Sequence, residues 1–349
     1  LRVAIEDVNE DGAPEVAILQ YEDDVSRSTL SVYKWNDFSS PVLNELDANG
    51  SSLLSFSNVD NDQPLELILK GGLVIDTSTW EVQWDYGEQF SQRGMVIGDF
   101  NQDGVNEIFG MYHNGDLYRY SVVAKTATEI SSTQYLSSCV LEKSQLSIDT
   151  DDLLLMSCPY SGIKAFKIEG DALTQRWHLS FSFSGRVSSL TTGDIDNDNQ
   201  FELLWGTSGH YSKSGFASAD ISNISAIMNH STVTKSSSSF KAIGWGNTTP
   251  EKEDALFLVG TYDDDGVRNR FVTVSSDGSV KISSGTSSTH SPIVDTVHID
   301  SNEDGYSEIV LPEVGYQNSK MDLVQISDEL VTSTHELSAG TGSQIVKAA

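Results

Sequence analysis

The sequence predicts an all-β fold: a seven-bladed β-propeller of four-stranded antiparallel blades, with an eight-bladed ring as the alternative. Three observations lead to this prediction. Short β-rich apolar runs occur without helical periodicity, one acidic motif recurs along the chain, and its copies are spaced by multiples of roughly 50 residues. A period of about 40–50 residues with four short strands per unit is typical of propeller blades.

The strand prediction rests on runs rich in β-branched and aromatic residues that lie between turn residues. EVAIL, ELILK, LYRYSVV and FVTVSS are examples. In the third unit the pattern predicts four strands, at MVIG, EIFGMY, DLYRYSVV and TATEISS. Because the strands between turns are this short, a helical solenoid is excluded.

The acidic motif has Asp or Asn at positions 1, 3 and 5 and Glu at position 9, followed by an apolar run. We name its copies by the repeat unit in which each lies. They are loop 1 (DVNEDGAPE, from Asp7), loop 2 (NVDNDQPLE, from Asn58), loop 3 (DFNQDGVNE, from Asp99), loop 5 (DIDNDNQFE, from Asp194) and loop 7 (DSNEDGYSE, from Asp300). Five copies of one pattern indicate a repeated structural unit.

The spacing of the loops predicts seven units in a single domain spanning residues 1–349. The first three copies start 51 and 41 residues apart, and the later steps of 95 and 106 residues each correspond to about two units. Two decayed copies fill the gaps. One, near residue 147, keeps Asp149 and Asp151, and the other, near 246, has Asp254 in place of the glutamate.

These motifs resemble the FG-GAP/VCBS repeats of integrin-α-type β-propellers, and the resemblance covers essentially the whole chain. It implies that each acidic loop joins the first two strands of a blade and binds Ca²⁺. The motif is well kept in five units and decayed in the other two.

Calcium chemistry agrees with this spacing, because Ca²⁺ takes six to eight oxygen ligands. Side chains at positions 1, 3 and 5 can turn inward, position 7 offers its carbonyl, and position 9 closes the ring. We therefore predict about five structural Ca²⁺ ions. Their proposed ligands are Asp7, Asn9, Asp11, Ala13 and Glu15; Asn58, Asp60, Asp62, Pro64 and Glu66; Asp99, Asn101, Asp103, Val105 and Glu107; Asp194, Asp196, Asp198, Gln200 and Glu202; and Asp300, Asn302, Asp304, Tyr306 and Glu308.

The acidic loops have two other interpretations, an EF-hand and a turn without metal. An EF-hand is excluded, because its closing Glu is at position 12 between helices. An acidic Asx turn without metal is the remaining alternative. Five copies with one ligand set argue against it, as do the sixteen carboxylates at ligand positions, which would repel one another without cations. Loop 2 departs most, with Gln63 at position 6, where a glycine would permit the bend.

Charge and calcium together limit the partners and the compartment. The 349 residues include 51 acidic and 21 basic side chains, a formal net charge of -30. This acidity argues against nucleic acid and against anionic membranes. No run of residues is apolar enough to predict a membrane span. Weak calcium loops suit a calcium-rich setting, so we expect an extracellular, cell-surface or periplasmic protein.

The two cysteines, Cys139 and Cys158, are placed symmetrically about Asp149 in the decayed fourth loop. A hairpin pairs residues symmetrically about its turn. We therefore expect a disulfide across the first two strands of that unit, with two buried free thiols as the alternative.

The ligand-binding prediction concerns the connections between second and third strands, which lie at the opposite end of a blade from the calcium loops. Aromatic rings beside polar groups suit a glycan or a protein partner. The proposed contacts are Tyr112, His113, His210, Tyr211 and Tyr262. The alternative is that tyrosine is favoured in strands for packing alone.

A binding or adhesion module, rather than an enzyme, is the function that these observations favour. The sequence has no G-x-S-x-G, H-E-x-x-H, P-loop or Rossmann signature. The alternative is a polysaccharide lyase that uses His113, His210 and His230, helped by Tyr211 or Arg268.

The chain termini leave the blade count open. LRVAIED at the start and GSQIVKAA at the end both look like strands that enter a loop, which would give eight such strands for seven loops. We expect either that the last strand pairs at the closure of the ring or that the chain belongs to a larger protein.

Overall fold

The computed structural model describes most of the first half of the chain and the strands of the second half. The described residues are 2–22, 27–35, 37–51, 53–60, 62–87, 90, 94–112, 115–131, 139–144, 152–159, 161–180, 186–193, 200–208, 214–221, 228–233, 254–263, 266–275, 280–282, 286–288, 297–299, 308–313, 320–325, 333–340 and 344–346. They fall into two compact units. The first is Leu1–Ser144, Asp151–Pro159 and Ile163–His178, and the second is Gln145–Thr150, Tyr160–Gly162 and Leu179–Ala349.

The first unit contains four sheets, each of four strands in sequence order. Sheet 1 comprises β1 (Arg2–Glu6), β2 (Glu15–Glu22), β3 (Arg27–Lys34) and β4 (Leu43–Asp47). Sheet 2 comprises β5 (Leu54–Ser57), β6 (Glu66–Leu69), β7 (Leu73–Asp76) and β8 (Glu81–Asp85). Sheet 3 comprises β9 (Met95–Gly98), β10 (Glu107–Met111), β11 (Leu117–Ser121) and β12 (Thr126–Ser131). Sheet 4 comprises β13 (Val140–Ser144), β14 (Leu153–Ser157), β15 (Ile163–Glu169) and β16 (Ala172–Leu179).

The second unit contains three further sheets among its described strands. Sheet 5 comprises β17 (Arg186–Gly193), β18 (Glu202–Ser208), β19 (Ser214–Asp220) and β20 (Met228–Val233). Sheet 6 comprises β21 (Asp254–Asp263), β22 (Gly266–Ser275), β23 (Val280–Ile282) and β24 (Thr286–Ser288), the last two both paired with β22. Sheet 7 comprises β25 (Val297–Ile299), β26 (Glu308–Glu313), β27 (Lys320–Gln325), β28 (Ser333–Gly340) and β29 (Gln344–Val346).

The protein is therefore all-β in its described residues, with antiparallel sheets of mostly four strands, as the sequence predicts. The four strands predicted for the third unit are β9 to β12, with ends within a few residues of the predicted ones. The terminal segment QIV forms β29 and pairs with β28 as a fifth strand of sheet 7. Within this described part, no helix is long and apolar enough to cross a membrane.

In the four sheets of the first unit, burial decreases from the second strand to the fourth. Every residue of β6, β10 and β14 is buried, whereas β8 and β16 are mostly exposed or half-buried. A strand covered on both faces reads as a continuous apolar run, which explains ELIL and LLLM. The polar fourth strands form edges whose charges discourage pairing with other chains.

Alternation along the second strands divides the core into layers between neighbouring sheets. Leu67 and Leu69 pack with the core of sheet 1, whereas Ile68, between them, packs with Ile108 and Tyr120 of sheet 3. In sheet 3, Phe109 turns the other way and packs with residues of sheet 4. The period-2 geometry of a strand thus lets one four-residue segment contribute to two apolar layers.

The loops of neighbouring sheets are joined by direct hydrogen bonds. The Leu65 N–H of loop 2 donates to the Val8 carbonyl of loop 1 (3.2 Å). Asn106 of loop 3 donates through Nδ2 to the Asn58 carbonyl of loop 2 (2.8 Å). Leu65 and Asn106 both stand at position 8 of the motif. This position therefore links each loop to the preceding one in the first three sheets.

An aromatic cluster between sheets 2 and 3 requires a glycine in β10. The Phe90 ring is fully buried against the backbone of Gly110, and a Cβ at Gly110 would lie 1.9 Å from Phe90 Cε1. Tyr86 stacks on Phe90 with ring centroids 5.5 Å apart. The Phe90 ring thus occupies the space that a side chain at position 110 would need.

We expect Gly110→Ala to lower the free energy of unfolding by about 1–3 kcal/mol, because the buried Phe90 ring must shift. Urea unfolding followed by tryptophan fluorescence measures the change. The effect should be non-additive with Phe90→Leu, since the smaller side chain leaves room for the new methyl group. Additive effects of the two substitutions would contradict this packing.

Candidate metal centres

All five acidic loops lie between the first and second strands of their sheets. In each case the position-9 glutamate is the first residue of the second strand and pairs with the last residue of the first strand. The pairs are Glu6 with Glu15, Ser57 with Glu66, Gly98 with Glu107, Gly193 with Glu202 and Ile299 with Glu308. The motif therefore has one backbone register throughout the chain.

Loop 1 is folded around the side chain of Asp7. The Asp11 N–H donates to Asp7 Oδ1 (3.0 Å), and the Gly12 N–H donates to Asp7 Oδ2 (2.8 Å). The Asp11 N–H also contacts Asn9 Oδ1 (2.9 Å), and the Ala13 N–H donates to Asp11 Oδ1 (2.9 Å). The side chains at positions 1, 3 and 5 thus all turn towards the backbone of their own loop.

Loop 3 repeats this pattern in a different sheet. The Asp103 N–H contacts Asp99 Oδ1 and Asn101 Oδ1 (both 3.0 Å). The Gly104 N–H donates to Asp99 Oδ2 and the Val105 N–H to Asp103 Oδ1 (both 2.9 Å). A carboxylate has about four lone-pair sites, so these bonds leave acceptor capacity for a cation.

The backbone of both loops enters the left-handed region at positions 4 and 6. At position 6 the φ angles are +81° for Gly12 and +88° for Gly104, a conformation that favours glycine. At position 4 they are +59° for Glu10 and +63° for Gln102. The motif predicts the bend at position 6 from its glycines, but it predicts nothing for position 4.

Loop 2 brings three carboxylates together. Oxygen atoms of Asp60, Asp62 and Glu66 all lie within 4.8 Å of one another. Asn58 donates through Nδ2 to the Asp62 carbonyl (2.6 Å), and the Val59 N–H donates to Glu66 Oε2 (2.9 Å). Loop 2 therefore gathers the proposed side chains even though it lacks the position-6 glycine.

Four of the five position-9 glutamates lie where burial is described, and all four are buried. Exposed fractions are 2% for Glu15, 1% for Glu66, 5% for Glu107 and 5% for Glu202. Burial raises the pKa of Glu66 and of Glu107 to about 7, and it raises the pKa of Glu15 as well. Glutamate is rarely this buried unless it is paired or coordinates a metal. A carboxylate buried at this point of each sheet needs a proton or a nearby positive charge.

Glu107 provides the test of whether a cation suits these loops. Among the described residues, its Oε2 atom is buried and has no hydrogen-bond partner. Its Oε1 atom accepts from Asn101 Nδ2 (2.6 Å), and the same nitrogen contacts Asp103 Oδ2 (3.1 Å). Asp99 and Asp103 act on Glu107 electrostatically, and an unpartnered carboxylate oxygen in such surroundings suits a hard cation. The residues of loop 3 therefore fit Ca²⁺.

Loop 1 differs, because an ammonium group contacts its position-5 carboxylate. Lys34 Nζ lies 3.1 Å from Asp11 Oδ2, and this hydrogen bond lowers the pKa of Asp11. Both side chains are substantially exposed, so the ion pair is worth little by itself. Lys34 was not predicted from sequence. Its register pairing with Glu15 across β2 and β3 brings it to the loop.

The remaining loop predictions fall mainly outside the described residues. These are Asp149, Asp151, Asp194, Asp196, Asp198, Asp300, Asn302, Asp304 and Tyr306, together with the decayed loop near 246 as far as residue 253. Asp254, predicted to replace the glutamate of that loop, begins β21. Gln200 lies two residues before β18, and Glu202 begins that strand. Glu308 begins β26. Carbonyl ligation at Ala13, Pro64, Val105 and Gln200 stays a prediction.

Sheet 4, whose loop is decayed, contains two other links. Cys139 and Cys158 form a disulfide one position beyond the Val140–Ser157 pair of β13 and β14. Lys143 Nζ lies 3.5 Å from Oδ2 of Asp152, whose side chain is buried.

The described part contains two of the five proposed ligand-face residues. Tyr112 directly follows β10 and is half-buried, with its ring perpendicular to that of Tyr118 (centroids 4.8 Å apart) and its hydroxyl bonded to the Tyr120 hydroxyl. Tyr262 lies in β21, near the turn to β22. His113, His210 and Tyr211 lie outside the described residues. Ligand contact at these positions stays a prediction.

Comparisons with known proteins support the fold alone. No protein-family model matches the chain, and a search of curated proteins finds no match. The BP39L lectin from Burkholderia pseudomallei matches with a TM-score of 0.67 at 11% identity, over 97% of this chain and 98% of the lectin. The Dos1 propeller matches with a TM-score of 0.52 at 13% identity, over 91% of each chain. The computationally designed Ika8 protein matches with a TM-score of 0.52 at 11% identity, over 95% of this chain and 85% of the other.

These likenesses show that the chain has a β-propeller fold, as predicted from its repeats. The identities are too low to transfer a function. The FG-GAP/VCBS repeat type and the number of blades stay predictions.

We expect the cation-free protein to lose stability as the pH rises from about 4.5 to about 7. Burial raises the pKa of Glu66 and Glu107 from 4.5 to about 7. In this window the folded state therefore holds protons that the unfolded chain has released, and stability falls with rising pH. Thermal unfolding in EDTA at several pH values across this range measures the slope of stability against pH.

The Glu66→Gln/Glu107→Gln variant should have a smaller slope, since neither amide titrates. Saturating Ca²⁺ should also reduce the slope in the unmodified protein, because a nearby cation favours the charged carboxylates. Equal slopes in EDTA for the variant and the unmodified protein would contradict this assignment.

Proposed function

We propose that the chain is a calcium-stabilised β-propeller of the FG-GAP/VCBS type, which acts outside the cytosol as a binding or adhesion module for a glycan or protein partner. The observation that carries the calcium part is the buried Glu107, whose Oε2 atom has no partner among the described residues. Loops 1 and 2 place a buried glutamate at the same point of their sheets.

The proposed ions have a structural role. Their ligands come from loops that join two strands of one sheet, and neighbouring loops are hydrogen-bonded to each other at position 8. A cation held by loop 3 would neutralise Glu107 and relieve the repulsion among Asp99, Asp103 and Glu107. We propose about five such ions, one for each well-kept motif. Seven described sheets support seven blades.

The binding role is proposed from the fold and from the positions of aromatic residues. One protein with this fold is described as a lectin. Tyr112 follows β10 at the end of sheet 3 opposite loop 3, where a partner can approach without disturbing the loops. A half-buried tyrosine offers an apolar ring to a sugar and a hydroxyl for hydrogen bonding. A glycan is therefore the first partner to test.

We expect calcium to raise the melting temperature by at least about 3–4 °C over that in EDTA. One ion at a hundred times its dissociation constant adds about 2.7 kcal/mol. An unfolding entropy of about 2.1 cal/mol/K per residue makes each kcal/mol worth about 1.4 °C in a chain of this length. Differential scanning calorimetry at low salt measures this shift. Glu107→Gln should reduce it, while Glu169→Gln, on the exposed surface of sheet 4, serves as the control. An unchanged melting temperature in EDTA would overturn the calcium proposal.

We expect a glycan array to identify a carbohydrate ligand, and we expect no formation of unsaturated products from acidic polysaccharides. Tyr112→Ala should weaken binding at least several-fold if this tyrosine contacts the sugar. Ultraviolet absorbance of the incubated polysaccharides tests the lyase alternative directly. An increase in absorbance would favour that alternative. If no glycan on the array is bound and a protein partner is captured, recognition of a protein would be favoured.

A further inference from the structure

Loop 2 has a neighbour outside the motif whose chemistry is unexplained. Gln83, in the fourth strand of sheet 2, donates through Nε2 to Asp60 Oδ2 at 2.5 Å. Its Oε1 atom is buried and has no hydrogen-bond partner among the described residues. A buried amide oxygen without a partner is costly, so it requires a reason.

The backbone directs Gln83 towards the loop by a β-bulge. Val74 of β7 pairs with Trp84, and the next residue, Ile75, pairs with Val82, which leaves Gln83 as the extra residue of β8. Bulges re-aim side chains and are frequent beside functional sites. Lys125 Nζ, from the turn between β11 and β12, donates to the Gln83 carbonyl (3.1 Å). The bulge is therefore held from the neighbouring sheet.

We propose that Gln83 is a ligand of the cation in loop 2, contributing its amide oxygen while its amide nitrogen holds Asp60 in place. This inference rests on the proposed calcium function and extends it beyond the nine-residue motif. It assigns a metal-binding role to a residue 17 positions after the closing Glu66.

The distances permit this role without rearrangement. The oxygen and nitrogen of an amide lie about 2.2 Å apart, given C=O and C–N bonds of about 1.2 and 1.3 Å. With 2.5 Å between Nε2 and Asp60 Oδ2, Oε1 lies no more than about 4.7 Å from that carboxylate oxygen. Two oxygens can share one Ca²⁺ when they are up to about 4.6–5.2 Å apart, since each Ca–O distance is about 2.3–2.6 Å.

The coordination number gives a second reason. Positions 1, 3, 5, 7 and 9 supply one oxygen-bearing group each, whereas Ca²⁺ takes six to eight oxygens. Gln83 supplies a sixth group in the copy that departs most from the motif, with Gln63 at position 6. A neutral amide adds no repulsion to the close group of Asp60, Asp62 and Glu66.

Loops 1 and 3 have other arrangements. In sheet 3 the bulge between β11 and β12 lies two residues further from the loop, and its extra residue, Ile130, has no side-chain oxygen and is buried in the core. In sheet 1, Lys34 contacts the loop instead. Among the three most completely described loops, an external amide ligand is therefore assigned to loop 2 alone. Substitution of Gln83 should accordingly affect one cation site.

Calorimetric titration of the full chain with Ca²⁺ tests the assignment. Gln83→Met keeps the length of the side chain but removes both polar atoms, and it should weaken one site about tenfold or more. Gln175→Met, at an exposed position in β16, is the matched control and should leave every site unchanged. Calcium binding by Gln83→Met equal to that of the unmodified protein would overturn the proposal.

Two further variants separate ligation from packing. Gln83→Glu retains an oxygen but loses the donor, so it should bind as tightly as the unmodified protein or more tightly if the oxygen is a ligand. If Gln83 acts only as a donor to Asp60, the same variant should bind more weakly, which would overturn the proposal. In an Asp60→Asn/Asp62→Asn background, Gln83→Met should have no further effect, and an equal loss there would also overturn it.

Failure of this inference is distinguishable from failure of the proposed function. If the unmodified protein binds no Ca²⁺ in the titration, the calcium function itself fails. If the unmodified protein binds Ca²⁺ and Gln83→Met binds it equally well, only the role of Gln83 is wrong.

Discussion

A carboxylate buried at the start of the second strand is the constraint on which the acidic loops depend. The second strand is covered on both faces, and its first residue is the position-9 glutamate in sheets 1, 2, 3 and 5, where that side chain is buried. A buried carboxylate needs a proton or a nearby positive charge. In the calcium-bound protein that we propose, the oxygens at positions 1, 3 and 5 supply the rest of the coordination shell. The motif and the strand that follows it are therefore one structural unit.

The same requirement is met differently where the loop has decayed. In sheet 4 the first residue of the second strand is Leu153, and no glutamate is buried there. Asp152, one residue earlier, has Lys143 as an ion-pair partner, while the Cys139–Cys158 disulfide joins the two strands. The hairpin of sheet 4 thus contains an ion pair and a disulfide, whereas the hairpins of sheets 1, 2 and 3 contain an acidic loop. Where the motif has decayed, the buried glutamate is thus replaced by a buried aspartate that has an ion-pair partner.

Sequence reasoning succeeded where the information is local. A nine-residue pattern followed by an apolar run predicts where a strand begins, and all five glutamates begin the second strand of a sheet. It failed for groups that approach from elsewhere. Lys34 reaches loop 1 through the register of β2 and β3, and Gln83 reaches loop 2 through a bulge in β8. Neither register nor bulge position can be predicted from the motif, since both depend on pairing with other strands.

In the proposed function the loops hold cations, so the proposed binding of a partner would use side chains that the sheets hold elsewhere. Tyr112 shows how the fold can provide one. Its ring contacts Tyr118 and Phe90, and its hydroxyl is bonded to that of Tyr120, which fixes the side chain before any partner arrives. An aromatic side chain that is already ordered loses little conformational entropy on binding. The packing between sheets 2 and 3 that stabilises the fold would therefore also favour binding at this end of the sheets.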